Sequence, residues 1–221
     1  MGKNKLKRFA ELETMHLVFQ PGGREPVTDF FLKGKWNQDV FHNENPIVAE
    51  LGCGRGEYTT NMSLMFPKRN FIGIDKKGAR LWKGAKTANE DNILNAAFLR
   101  IQIEQLSFFF NPGEISEIWI TFPDPQPQKT RENTRMTSPR FLEMYKTLLP
   151  NDGIVHLKTD NADLYNYTQR RAMEMNCKVL VSTNDLYNTP HSDEVLSITT
   201  TYEKRYLKEG IPICYLKFSF Q

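Results

Sequence analysis

Carboxylates and glycines mark the places in this chain where chemistry is easiest to build. The stretch Ile47-Val48-Ala49-Glu50-Leu51-Gly52-Cys53-Gly54-Arg55-Gly56 runs from an apolar segment through an acid into a glycine-rich turn, and Glu57 to Phe66 then reads as a helix. A strand, a tight glycine turn and a helix make the ligand-binding corner of a doubly wound α/β sheet. Glycine serves there because it accepts φ > 0 and lets a ligand approach the backbone. A dinucleotide fingerprint is GxGxxG, with a pyrophosphate on the helix N-terminus. Gly52, Gly54 and Gly56 give GxGxG instead, and Glu57 occupies the place of the third fingerprint glycine. Glu50 would repel a pyrophosphate and attract a cation. Asp75 ends the next apolar run, Phe71-Ile72-Gly73-Ile74, nineteen positions after Gly56. A carboxylate there can accept hydrogen bonds from both hydroxyls of a ribose diol. The corner suits a cationic ligand that carries a ribose; a dinucleotide site and a purely structural turn are the alternatives.

These residues need a scaffold, and the hydrophobic pattern supplies one. Strands are expected at about 47–51, 70–75, 97–101, 117–122, 154–158, 178–182 and 213–218, with helices at about 56–66, 77–90, 104–110, 138–149 and 161–176 between them. Ser138 caps the fourth helix and Pro139 takes its first position. Strict alternation implies right-handed crossovers, hence an α/β, Rossmann-like, mostly parallel sheet with helices on both faces. The last two strands are joined by residues 184–210, in which no convincing helix is seen, so the seventh strand should pair antiparallel. Residues 1–45 read as an N-terminal extension, partly helical, with a turn at Pro21-Gly22-Gly23 and a basic start, Lys3, Lys5, Lys7 and Arg8, that reads as a disordered arm. Residues 46–221 read as one catalytic-type domain.

Composition excludes several classes. A net charge of +3 permits a nucleic-acid partner without requiring one, so local clusters matter more. Those clusters are the basic start, Lys76, Lys77, Arg80, Lys83 and Lys86, and the loop cations Lys129, Arg131, Arg135 and Arg140. No apolar run approaches a membrane span, and the N-terminus lacks a signal-peptide core. Cys53, Cys177 and Cys214 have no CxxC spacing, and His16, His42, His156 and His191 are scattered. No metal site and no disulfide framework are expected, which fits a cytoplasmic protein. A monomer or a homodimer is compatible with this pattern.

In open α/β sheets ligands bind at the carboxyl ends of the strands. Those ends present Glu50, Asp75, Gln102 with Glu104, Pro123-Asp124-Pro125 and Thr159-Asp160. Phe122-Pro123-Asp124-Pro125-Gln126-Pro127 is a stiff segment, because proline fixes its own φ and restricts its predecessor.

An acid, a GxGxG turn and a second acid resemble the S-adenosylmethionine site of Rossmann-like methyltransferases. Gly34-Lys35-Trp36-Asn37, Phe122-Pro123-Asp124-Pro125, the basic stretch after it, Lys158-Thr159-Asp160-Asn161 and Thr200-Thr201-Tyr202-Glu203, in this order along the chain, resemble the bacterial tRNA (guanine-N7)-methyltransferase family. The likeness runs from about Gly34 to Phe218. It implies a seven-stranded methyltransferase sheet, S-adenosylmethionine as cofactor, tRNA as partner, and methylation at N7 of a variable-loop guanosine. By the same resemblance Glu50, Gly52, Gly54, Gly56 and Asp75 bind the cofactor. A further cofactor position after the third strand, usually Asn or Asp, falls on Gln102. Asp124 is the catalytic, guanine-facing acid. Asp160 faces the substrate, and Gln128, Lys129, Thr200, Thr201, Tyr202 and Glu203 line its site. Lys129, Arg131 and Arg135 meet tRNA phosphates, together with the basic start. Two departures stand out: Gln126 replaces a usual tryptophan, and Gln128 occupies a usual lysine position. Two rival readings keep the fold: a methyltransferase of a small molecule or protein, and a non-catalytic RNA-binding protein.

Overall fold

The computed structural model describes residues 2–21, 28–190 and 195–221. Gly22, Gly23 and His191 lie outside the described residues, as does the side chain of Lys3.

The sheet is built from β1 (Val18–Phe19), β2 (Ile47–Leu51), β3 (Asn70–Ile74), β4 (Ala96–Leu99), β5 (Ile115–Thr121), β6 (Ile154–Thr159), β7 (Lys178–Thr183) and β8 (Cys214–Ser219). Their spatial order is β1-β4-β3-β2-β5-β6-β8-β7. All pairings are parallel except those of β8, which runs antiparallel to both β6 and β7. The seven expected strands are all present, and one more is added. β1 extends the β4 edge through Val18 opposite Phe98 and Phe19 opposite Leu99. Two residues are too few to show a period, so hydrophobic alternation does not reveal this strand.

β2, β3 and β4 are buried along their whole length, as parallel strands covered on both faces must be. Alternate residues part to opposite faces. Ile47, Ala49 and Leu51 join α4 (Pro139–Leu148), α5 (Ala162–Glu174) and the segment around Trp36. Val48 faces α2 (Glu57–Met65), whose Tyr58 and Met62 it meets. α3 (Gly78–Glu90) and α1 (Gly2–Glu13) close that same face through Leu81, Ala85 and Leu12. Among the described residues no helix is long and apolar enough to cross a membrane.

The block Gly34 to Asn37 is explained by packing. The Trp36 indole is fully buried, stacks on Phe110 at 5.4 Å and donates to the Phe109 carbonyl at 2.9 Å. Asn37 accepts from the buried Asn70 amide at 2.8 Å and donates to the Asn45 carbonyl, tying this segment to the start of β3.

Three local expectations need correction. The short helix expected at about 104–110 is a 3₁₀ helix that ends at Phe108, and Phe109 and Phe110 turn into the core while Phe108 stays partly exposed. The chain start is helix α1 docked on α3, not a disordered arm. Residues 184–210 do contain a helix, α6 (Thr201–Lys208). Its only buried residue is Glu203, and its eight residues are too few to show a clear helical period.

Candidate active site

The chain runs outward from β2 to β3 and β4, then returns to place β5 on the other side of β2. That reversal opens a crevice beyond the carboxyl ends of β2 and β5. The glycine turn sits at its mouth. Gly52 N and Cys53 N both donate to the Ile74 carbonyl, at 2.8 and 3.0 Å, which bends the chain over the end of β3. Gly52 has φ of +72°. A Cβ added there would stand 3.7 Å from the Met136 thioether, inside the crevice. Gly56, at φ of +69°, has a different reason: a Cβ would come within 2.6 Å of the Phe98 ring. It lets α2 start tightly against the neighbouring sheet and α3.

The two acids of this corner are both near the turn but differently placed. Glu50 is buried beneath it. One carboxylate oxygen accepts from Thr59 N at 2.8 Å and from the Thr59 hydroxyl; the other accepts from the Thr121 hydroxyl at 3.0 Å. No cation pairs with it among the described residues, and burial pushes its pKa from 4.5 to about 7 despite those donors. Asp75 stands at the crevice wall. Its oxygens accept from Gly54 N at 3.0 Å and Lys77 N at 2.7 Å. Each carboxylate oxygen offers two lone-pair sites, so both can still accept a hydroxyl.

The crevice measures about 240 Å³, and its walls bring the two ends of the expected site together. Gly52, Asp75, Ile101, Ile103 and Glu104 form one side; Phe122, Pro123, Asp124, Gln126 and Met136 form the other. Gln102 is not in this wall. It is exposed and lines a neighbouring hollow with Gln20, Pro21, Lys76, Arg100 and Gln105.

The proline-rich loop is fixed by more than its prolines. Phe122 takes φ of +48° while donating its N–H to the Lys158 carbonyl at 2.8 Å. Asp124 is exposed, and one of its oxygens accepts from Gln126 N at 3.1 Å. The Arg135 side chain reaches back to donate to the Gln126 carbonyl at 3.1 Å and lies over the Tyr167 ring at 4.4 Å. Arg135 thus holds the loop that presents Asp124. Gln128 and the 3₁₀ turn Lys129–Thr134, with Lys129 and Arg131, are exposed beyond it.

The residues after β6 and in α6 are differently engaged. Asp160 is half-buried just past β6; burial, and after it the Asp160 charge, raises the pKa of Tyr206. Thr200 and Glu203 form a capping box: the Thr200 hydroxyl accepts from Glu203 N at 3.1 Å, and the Glu203 carboxylate accepts from Thr200 N at 3.3 Å. Glu203 is fully buried, so its side chain cannot line an open substrate site. Thr201 is exposed and donates its N–H to Glu57 at 3.0 Å, joining α6 to the first turn of α2. Tyr202 is 45% exposed.

Lys158 went unassigned in the sequence. It is fully buried, and its ammonium meets Glu203 at 2.6 Å, the Tyr58 hydroxyl at 2.7 Å and the Leu196 carbonyl at 2.7 Å. The available signal was a lysine near the end of an otherwise apolar strand, because a buried charge needs an opposite charge.

A glycine turn without a pyrophosphate cradle, a diol-ready acid and an acidic loop facing them across one crevice define the class of Rossmann-like methyltransferases. The family whose description is "putative methyltransferase" matches residues 44–216. A tRNA (guanine-N(7)-)-methyltransferase of Christiangramia forsetii is 49% identical over 99% of both chains. One of Cytophaga hutchinsonii is 45% identical over 100% of this chain and 99% of its own. With such likeness over its full length, the chain belongs to the tRNA (guanine-N(7)-)-methyltransferase family. Among solved structures, the 16S rRNA methyltransferase KamB shares the fold, with a TM-score of 0.66 at 14% identity over 92% of this chain and 98% of that one.

Proposed function

We propose that this enzyme transfers a methyl group from S-adenosylmethionine to N7 of a guanine in tRNA. The observation that carries the reading is that Gly52 and Asp75 line the same crevice as Asp124, in a chain of this family. The walls suit the cofactor. Gly52 leaves room a Cβ would fill, Asp75 keeps acceptor sites for a ribose diol, and Ile101, Ile103 and Met136 offer apolar surface to an adenine. When bound, S-adenosylmethionine supplies a methyl group on a cationic sulfur, and the uncompensated Glu50 carboxylate below the turn favours that charge.

Guanine N7 carries an in-plane lone pair and loses no proton on attack. No general base is needed. The chain's task is to hold N7 and the methyl carbon close and aligned, and such positioning can supply about 7–11 kcal/mol. Asp124 accepts from guanine N1–H and the exocyclic amine, a donor pair that adenine does not offer. Its negative charge also stabilises the positive charge that the ring gains in the transition state. Asp160, Gln128 and Tyr202, which are not in the crevice wall, contact the substrate beyond it. Lys129 and Arg131 meet phosphates, while Arg135 acts mainly by holding the loop. Thr200, Thr201 and Glu203 act as positioning residues through α6.

The test is direct. Purified protein is incubated with S-adenosylmethionine and unmodified tRNA, the RNA is digested, and nucleosides are read by mass spectrometry. 7-Methylguanosine should appear. Cofactor binding without any methylated nucleoside would instead favour a small-molecule or protein substrate.

A further inference from the structure

The basic start of the chain is a built part of the surface. Apolar, cation–π and hydrogen-bond contacts fix α1 on α3. Leu12 is buried in the cluster of Leu81, Ala85 and Ile93. Arg8 lies over the Trp82 ring at 4.6 Å and donates to the Ala79 carbonyl at 3.2 Å, and the Trp82 indole N–H donates to Glu11 at 2.6 Å. The Phe9 ring sits against the first turn of α3, where a Cβ on Gly78 would come within 2.5 Å of it, and the Arg100 guanidinium covers that ring at 4.3 Å.

This docking leaves a row of cations facing solvent. Lys5 and Lys7 on α1 and Lys76, Lys77, Arg80 and Lys83 around the start of α3 are all exposed. Lys7 has Glu11 at 3.9 Å; among the described residues none of the other five has an ion-pair partner. Lys76, Lys77 and Arg80 also form the rim of the crevice that holds Asp124. Lys5 sits 5.9 Å from the Phe9 ring, which itself rests on Gly78, so the row is continuous from the crevice onto α1. The proline-rich side is poorer. Arg135 is spent on the loop, Arg140 faces Glu104 at 4.0 Å, and Arg171 pairs with Glu132 and Glu174.

We infer that α1 and the start of α3 form one preassembled cationic ridge that carries the tRNA phosphate backbone away from the crevice. The inference rests on the tRNA reading above. α1 has 12 residues and is about 18 Å long at about 1.5 Å per residue, long enough to follow several consecutive phosphates. A docked helix holds its lysines in place before the RNA arrives, so less ordering entropy opposes binding than for a free arm.

The experiment combines Lys5→Gln, Lys7→Gln and Lys83→Gln, all outside the crevice wall. Binding of tRNA is measured against salt, and turnover at saturating S-adenosylmethionine. The slope of log K against log salt should become shallower by about two to three, since each phosphate contact contributes about 0.9. The KM for tRNA should rise about tenfold in the same low-salt range. The kcat at saturating tRNA and the Kd for S-adenosylmethionine should stay unchanged. Wild-type protein that methylates tRNA, beside a triple variant with the same slope and KM, overturns the ridge alone. Wild-type protein that makes no 7-methylguanosine overturns the functional reading beneath it.

Discussion

Glu50 and Glu203 are both buried glutamates near the carboxyl edge of the sheet, yet they serve opposite ends. Glu203 meets the fully buried Lys158 ammonium at 2.6 Å and the Tyr187 hydroxyl at 2.6 Å, and its charge is consumed in holding α6. Among the described residues Glu50 is met only by neutral donors, from Thr59 and Thr121. Its charge is left uncompensated under the glycine turn, and its pKa rises to about 7. A carboxylate beside a lysine is architecture. One kept from any cation remains available, through its field, to a cationic ligand a few ångströms away. The same residue type thus divides into structure and function by whether a cation has been built next to it.

The strongest way to break this contrast is to remove the cation. Lys158→Met strands Glu203 as an unpaired buried charge, and urea unfolding should show a loss of about 3–5 kcal/mol. Adding Glu203→Gln should return much of it. If the single variant is as stable as wild type, the pair does not organise α6. Asp124→Ala tests the functional side without touching a buried partner. We expect turnover to fall on the order of 10²-fold, the usual cost of one preorganised electrostatic contact. Stability should stay within about 0.5 kcal/mol, as for exposed positions. Near-wild-type turnover would remove Asp124 from the mechanism.

Glu50→Gln sharpens the comparison through pH. A carboxyl whose folded pKa is raised contributes stability that is fully present below the unfolded value and lost as pH rises through the folded one. Wild-type stability should therefore decline between about pH 4.5 and pH 7, by roughly 3 kcal/mol from this group. The Gln variant should lack that component in melts taken across the range; an identical pH profile would mean Glu50 is not strained by burial. The smallest effect is expected for Gly52→Ala. Placing Ala at φ of +72° costs about 1–2 kcal/mol, and its methyl projects toward Met136. Calorimetry should show S-adenosylmethionine bound about tenfold more weakly, and unchanged affinity would place the cofactor away from the turn.

A second contrast, between the two basic regions, shows how far charge counting can go. Lys, Arg and Pro in residues 123–137 look like the obvious phosphate contact. Yet Arg135 turns inward to the Gln126 carbonyl, and the chain start, read as a loose arm, becomes a docked helix. Local composition gives the sign of a patch. It does not say which cations are already in use, because their partners, such as Tyr167 for Arg135 or Trp82 for Arg8, are distant in sequence.

The sequence by itself determined the strand order's raw material, the glycine corner and the acids that end the strands. These are local signals: an apolar run buried on both faces, a φ only glycine accepts, an acid at a strand terminus. It also determined the family, through blocks spread over nearly the whole chain. Tertiary structure alone decided the rest. It decided that Asp75 and Asp124 share one crevice wall to wall, since β2 and β5 become neighbours only when the sheet reverses direction. It decided that Gln102 faces another hollow, and that β1 adds an eighth strand too short to have a period. It decided that the Glu203 side chain is buried against Lys158, forty-five residues away, because a buried charge finds its counterion in space rather than in sequence.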